Sequence, residues 1–325
     1  MKRRSFCRVL SAAALATPLA VLAQAAPALR VAWVSSERKT STSATLDALR
    51  AGLRELGYIE GRNLVIDTWW GDGSDERLLT VAGDIVASRP DVIVTQGGPA
   101  LTPMIRAGVK LPIVFSVSAD PVEAKFVRSF ARPGGNMTGI SLFTLELVGK
   151  RLELMKELLP RMKRVALVVS PQHPGERLEL AAAKEAAQRL GITIRYFPVT
   201  SEPELEAALA DIARERDDAI LAFADGFTLQ FAGRIAEFAQ KTKIPAVDGW
   251  EPFARAGNVM TYGPDIQDVY RRLADYVDKI RKGASAGELP VERPKAVELV
   301  VNQTAAQKIG ITISPVLLAV ANKVI

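Results

Sequence analysis

The chain has 325 residues, with 42 Lys+Arg against 36 Asp+Glu, 48% apolar and 24% charged. That length implies about two domains, and the ordinary globular proportions exclude a disordered or collagen-like chain. One cysteine (Cys7) and one histidine (His173) exclude a disulfide framework, a Cys/His zinc site and, unless His173 supplies the base, a histidine-dependent serine or cysteine triad.

The first segment reads as an export signal. Lys2, Arg3, Arg4 and Arg8 precede an apolar run over 9–22, and Ala20, Ala23, Ala25 and Ala26 follow. A basic n-region, a short apolar h-region and an alanine-rich cleavage site make a secretory signal peptide over 1–25, expected to be cut after Ala23 or Ala25. The run is shorter than the ~20 residues of a membrane span. Removing its four basic residues nearly balances the remaining charge, so no nucleic acid or other polyanion is implied as a partner. Cys7 precedes the apolar run and is not placed for acylation. The expected product is periplasmic, unlipidated and cysteine-free. Arg3-Arg4-Ser5-Phe6 fits a twin-arginine signal as well as a general one, which leaves the route open.

From Leu29 onward short apolar strands alternate with amphipathic helices. The pattern predicts strands over 30–35, 63–69, 92–96, 113–117 and 137–141, then over 165–170, 193–198, 219–224, 246–249 and 259–262, and a late one over 296–301. The runs Val92–Val94 and Val165–Val169 are continuously apolar, as in strands buried on both faces of a parallel sheet. Helices are predicted over 45–56, 76–88, 145–159, 176–190, 202–214, 228–241 and 267–282, several ended by glycine or proline. This alternation predicts an α/β protein with parallel sheets and right-handed crossovers.

A faint repeat supports two similar halves. Leu56-Gly57, Ser74-Asp75-Glu76, Asp84-Ile85 and Asp91-Val92 are echoed by Leu190-Gly191, Ser201-Glu202, Asp211-Ile212 and Asp218-Ala219. Open α/β sheets bind ligands beyond the carboxyl ends of their strands. Two such lobes can enclose a small molecule, so with no enzyme motif the chain reads as a cleft binder.

Specific motifs carry a resemblance. Leu56-Gly57-Tyr58-Ile59-Glu60-Gly61-Arg62-Asn63, Asp120-Pro121-Val122, Ala131-Arg132-Pro133-Gly134-Gly135-Asn136-Met137-Thr138-Gly139, Lys150–Leu154, Tyr262-Gly263-Pro264-Asp265, Leu289–Pro294 and Glu298–Asn302 follow in order. Over roughly residues 30–325 the chain resembles bacterial ABC-transporter substrate-binding proteins, the group that includes tryptophan/tyrosine-binding lipoproteins. It departs from the group's pattern at Thr261, at Ala254–Gly257 and at Asn322-Lys323. The resemblance implies a type I periplasmic-binding fold: two Rossmann-like lobes with parallel sheets and three hinge crossings. It places lobe 1 at 28–142 plus 265–290 and lobe 2 at 143–264 plus 291–325. It also implies a monomer without a cofactor or metal that binds a small molecule, an amino acid or related compound, and docks on an inner-membrane ABC permease. A sensory module feeding a membrane kinase or chemoreceptor would use the same cleft. An exported enzyme would be short of a base.

Candidate contacts lie at the strand ends. Ser35 and Ser36 end the first strand, and Gly97, Gly98 and Pro99 follow the third, where backbone can approach a carboxylate at a helix start. Ser116 and Asp120 follow the fourth strand, and Ser141 lies at the first crossing. Asp225, after the eighth strand, is placed to pair a ligand ammonium. Trp250 can stack on a flat ligand, and Tyr262 lies at the second crossing. His173, in a loop between Pro171 and Pro174, reads as solvated.

Overall fold

The computed structural model describes residues 27–39 and 43–325. The export signal over 1–25 and Cys7 lie outside the described residues.

Two sheets organise the chain. The first contains β1 (Leu29–Ser35), β2 (Leu64–Trp70), β3 (Val92–Gln96), β4 (Ile113–Val117) and β5 (Met137–Ser141), in the order β2-β1-β3-β4-β5. The second contains β6 (Arg164–Val169), β7 (Thr193–Pro198), β8 (Ala219–Ala222), β9 (Ala246–Asp248), β10 (Met260–Pro264), β11 (Val297–Val301) and β12 (Lys323–Val324), in the order β12-β11-β10-β9-β8-β6-β7. All pairings are parallel except β10 with β11.

Helices cover both faces of each sheet. They are α1 (Ala44–Glu55), α2 (Asp75–Ala87), α3 (Gly97–Arg106), α4 (Thr144–Leu158), α5 (Glu176–Arg189), α6 (Glu202–Glu215), α7 (Gly226–Gln230), α8 (Ala232–Thr242), α9 (Glu251–Arg255), α10 (Ile266–Arg281), α11 (Gln303–Ile309) and α12 (Pro315–Val320). In β1, Val31 and Trp33 face a core shared with Leu49 and Leu53 of α1 and Leu273 of α10, while Ala32 and Val34 face Leu78 of α2 and Leu101 of α3. Alternation sends successive side chains to opposite faces, and both faces are apolar because both are covered.

Each predicted strand is present, shifted by at most a few residues. The helix expected over 228–241 is two, α7 and α8, divided at Phe231.

The chain passes between the halves three times. It leaves β5 through Leu142 and Phe143, the latter in the left-handed region at φ 61, and enters α4, which packs on α5 and β10. It leaves β10 at Pro264 and enters α10, which returns to α1 and the first sheet. Val291 and Glu292 still belong to the first half, beyond the boundary expected after 290. Glu292 N–H donates to the Gly139 carbonyl at 3.0 Å, and Ser141 N–H to the Glu292 carbonyl at 2.9 Å. Only then does the chain reach β11.

Candidate functional site

A cavity of about 160 Å³ lies between the two sheets, at the carboxyl ends of their strands. The first half supplies Ser36–Arg38 after β1, Gln96–Pro99 after β3 and Ser116 at the end of β4; the second supplies Ser170 and Gln172 after β6, Asp225–Phe231 after β8 and Trp250 after β9. Its volume compares with an engineered cavity of about 150 Å³ that holds one benzene ring, so it suits a small solute.

The halves touch around this cavity. A Cβ built on Gly98 would lie 2.6 Å from the Pro174 ring, and one on Gly226 would lie 2.9 Å from Glu37 Oε1. Only glycine lets either backbone come so close, so both positions seal the cleft from opposite sides.

A buried strap reinforces the seal. Ser118 Oγ, after β4, lies 3.2 Å from His173 Nδ1, after β6, and His173 Nε2 lies 2.7 Å from Glu179 Oε1 of α5. Thr144 Oγ1 lies 2.5 Å from the Ser118 carbonyl and 2.7 Å from Glu179 Oε1, and its one proton serves either acceptor. His173 is 2% exposed, which corrects the expectation of a solvated loop side chain. Its ring is drawn inward because both nitrogens find partners there. Burial opposes the imidazolium, yet the Glu179 charge and hydrogen bond outweigh it and raise the His173 pKa above 6.5.

Charge in the cavity wall is mainly acidic. Asp225 caps α7 through a reciprocal box with Thr228, its Oδ1 accepting the Thr228 N–H at 2.8 Å. Its Oδ2 is buried with no hydrogen-bond partner among the described residues. Burial raises its pKa, against the pull of His173 and the Thr228 bonds. Burial also pushes Glu37 up to about 7, with Asp225 adding to the rise and a hydrogen bond from Gln96 opposing it. Beneath Trp250, burial pushes Asp248 up to about 7 against the attraction of Arg151. Asp248 Oδ1 accepts the Trp250 N–H at 2.9 Å and so orients that residue. Arg151 Nε donates to the Tyr262 carbonyl at 2.8 Å.

Of the sequence candidates, the cavity brings together Ser36, Gly97, Gly98, Pro99, Ser116, Asp225 and Trp250. Ser116 Oγ and Trp250 Nε1 are buried and find no partner among the described residues. The other four stand off the cavity wall. Ser35 Oγ accepts the Glu37 N–H at 3.1 Å. Asp120 Oδ1 accepts the N–H groups of Val122 at 2.8 Å and Glu123 at 3.0 Å, closing a turn. Ser141 pairs with Glu292 at a crossing, and Tyr262 packs its ring on the second core. Sequence reasoning passed over Glu37, Gln96, Phe227, Phe231 and Tyr270. Glu37 and Gln96 lie at the same strand ends as the candidates it chose, so topology alone could have named them. Among the described residues no group of His, Cys, Asp or Glu is arranged to hold a metal ion, and no helix is long and apolar enough to cross a membrane.

A family model described as ABC transporter substrate binding protein matches residues 34–325. The tyrosine-binding protein of Clostridioides difficile (strain R20291) is 22% identical over 263 residues, which are 80% of this chain and 75% of that protein. Among solved structures, a conserved domain protein from Vibrio cholerae O1 biovar El Tor is 30% identical with a TM-score of 0.84, covering 91% of this chain and 99% of its own. The ABC domain in complex with L-Trp from Streptococcus pneumonia is 24% identical with a TM-score of 0.84, covering 92% of this chain and 100% of its own. The architecture is that of type I periplasmic binding proteins, as the sequence led us to expect.

Proposed function

The chain belongs to the ABC transporter substrate-binding protein family, and on that premise we propose that it captures an amino acid or related compound and delivers it to an ABC permease in the inner membrane. The family's function is binding, not catalysis. The observation that carries the reading is the cavity at the strand ends of both halves, with buried, unpartnered polar atoms contributed by each.

Asp225 takes the ligand ammonium from the second half. The N–H groups at the start of α3, around Gly97 and Gly98, take the carboxylate from the first, where the helix dipole favours negative charge. Gln96 makes no side-chain cap there. Trp250 and the Phe227–Phe231 pair, with ring centroids 5.0 Å apart, enclose the ligand side chain. Ser116 supplies a hydroxyl, and Ser36 and Pro99 close the wall. Ser35 acts through Glu37, while Asp120, Ser141 and Tyr262 shape the turns and crossings. The lobes, 28–142 plus 265–292 and 143–264 plus 293–325, close as bodies on the three crossings, and bound ligand stabilises the closed form by its differential affinity. The names of the relatives, one tyrosine-binding and one bound to L-Trp, support the amino-acid class. The signal peptide supports a periplasmic product, the place of Cys7 before the apolar run an unlipidated one, the near-balanced charge no nucleic-acid partner, and the family resemblance a monomer without a cofactor.

The test is a thermal-shift screen of the purified protein against amino acids, sugars and aromatic acids. A ligand at a hundred times its Kd adds ~2.7 kcal/mol, and an amino acid should give the largest shift. A shift from sugars alone would refute the assigned class.

A further inference from the structure

Two carboxylates meet in the cavity from opposite halves. Glu37 follows β1, and its backbone is tied down by Ser35 Oγ at 3.1 Å. Its Oε1 accepts from Gln96 Nε2 at 2.8 Å and rests against the backbone of Gly226, beside Asp225. Asp225 points its buried, unpartnered Oδ2 from the other half. Gln96 Oε1 is a further buried acceptor without a partner among the described residues.

Resting on the reading above, we propose that Glu37 and Asp225 form a selectivity gate for a primary ammonium, so that the cleft closes tightly only on a ligand that brings a cation between them. Closure strips water from both groups, and two like charges in a dry site repel. A cation between them reverses the sign. A primary ammonium carries three donors and no acceptor, which suits a wall holding Asp225 Oδ2, Gln96 Oε1 and the second oxygen of Glu37. A sugar hydroxyl donates but does not neutralise, and a quaternary ammonium neutralises but does not donate.

Among the described residues no cation forms an ion pair with Glu37 or Asp225. Arg38, next along the chain, is exposed and makes no ion pair with either carboxylate among the described residues. Tyr270 of α10 faces Glu37 and is neutral, its own pKa lifted well above 10 chiefly by burial. His173 faces Asp225 from the loop after β6, and both its ring nitrogens are engaged with Ser118 and Glu179. Glu179 lies behind it and only adds negative charge. Because burial holds Glu37 near 7, it must release a proton to receive the ammonium in acid. Affinity for an amine therefore falls as pH drops below about 7 and levels off above it.

The test is calorimetry on the full chain without its signal peptide, at pH 6 and pH 8, with matched triples. One is L-tyrosine, tyramine and 3-(4-hydroxyphenyl)propanoate; the other is L-leucine, isopentylamine and 4-methylpentanoate; glucose and benzoate complete the panel. For the amino acid that binds, its deaminated acid should bind ~100-fold more weakly, and amino-acid affinity should fall ~10-fold from pH 8 to pH 6. Glu37→Gln keeps the shape and the contact with Gln96, and should shrink the gap several-fold while flattening the pH profile. Gly226→Ala, which displaces the Glu37 carboxylate, should shrink the gap as well. Equal binding of the deaminated acid, tight binding of glucose or benzoate, or an unchanged gap and profile in Glu37→Gln would overturn the gate and leave solute capture standing. A panel in which no compound binds counts against both.

Discussion

Gly98 stands in the first turn of α3, where the halves touch, and replacing it by alanine should hold them apart. The added Cβ would lie 2.6 Å from both Cγ and Cδ of Pro174. Carbon atoms rest about 3.5–4.0 Å apart, so the halves must separate by about 1 Å. The proline ring has no rotamer that swings it aside. Gly98 is outside the left-handed region, so alanine strains no backbone there and is the better helix former. The cost, ~1–3 kcal/mol for an overpacked contact, falls on the closed form alone. A ligand that gains its affinity by closure should then bind ~5–150-fold more weakly, while the ligand-free protein melts where it did. Calorimetry with the best amino acid of the thermal screen measures the first, and small-angle scattering shows whether ligand still contracts the molecule. Gly233→Ala is the control, since its Cβ meets nothing within 4 Å. If both variants bind and contract alike, the contact between Gly98 and Pro174 is not part of ligand-driven closure.

Asp225→Asn still caps α7, because asparagine serves as an N-cap, so the ligand-free melting point should move little; affinity should fall by ~2–5 kcal/mol in calorimetry, and an unchanged affinity would place the ammonium elsewhere. His173→Ala leaves the Glu179 carboxylate, 1% exposed, with only Thr144 for company, and should cost ~3–5 kcal/mol in urea unfolding. Since the folded pKa of His173 is raised, its stabilisation is whole below about 6.5 and is lost as pH rises through the folded value, so the loss should be larger at pH 6 than at pH 8. Glu37→Gln should favour the closed form at pH 8: burial between the halves lifts the carboxyl from 4.5 to about 7, closure of wild type is therefore opposed increasingly as pH rises across that window, and glutamine relieves up to ~3 kcal/mol of that opposition. A ligand-free variant whose radius in small-angle scattering at pH 8 equals that of wild type would mean Glu37 ionises there without penalty.

The strands were legible because their signal is local. Val92–Val94 and Val165–Val169 are apolar on both faces, and glycine or serine ends the runs, so no partner strand was needed to find them. β12 was not legible: it is two residues held by pairing with Val300 and Val301, and nothing in Lys323-Val324 announces a strand. α3 was legible only as a helix start after Gly97-Gly98, and Pro103 inside it masked its extent. Asp225, Trp250 and the two glycines were chosen because ligands sit beyond strand ends, and all four line the cavity there. That rule does not say which side chain at a strand end reaches across, so Ser35 was chosen and Glu37, two residues on, was passed over. His173 was misread for the same reason: between two prolines it looks like surface, and its partners Ser118 and Glu179 lie 55 residues before it and 6 after.

Some of these contacts cross between the halves, so no single segment encodes them: Ser118 reaches His173, Gly98 meets Pro174 and Gly226 meets Glu37. Individually such contacts are weak: a hydrogen bond contributes ~0.5–1.5 kcal/mol net, and a glycine against a proline ring contributes little beyond permission to approach. The strap through His173 favours closure, whereas dehydrating Glu37 and Asp225 together opposes it. Under the proposed closure, terms this small and of opposite sign would leave a few kcal/mol from a ligand to decide between closed and open forms. In the proposed gate, an ammonium between the carboxylates would remove that opposing contribution, so the ligand that is recognised would also be the one that completes the closed form.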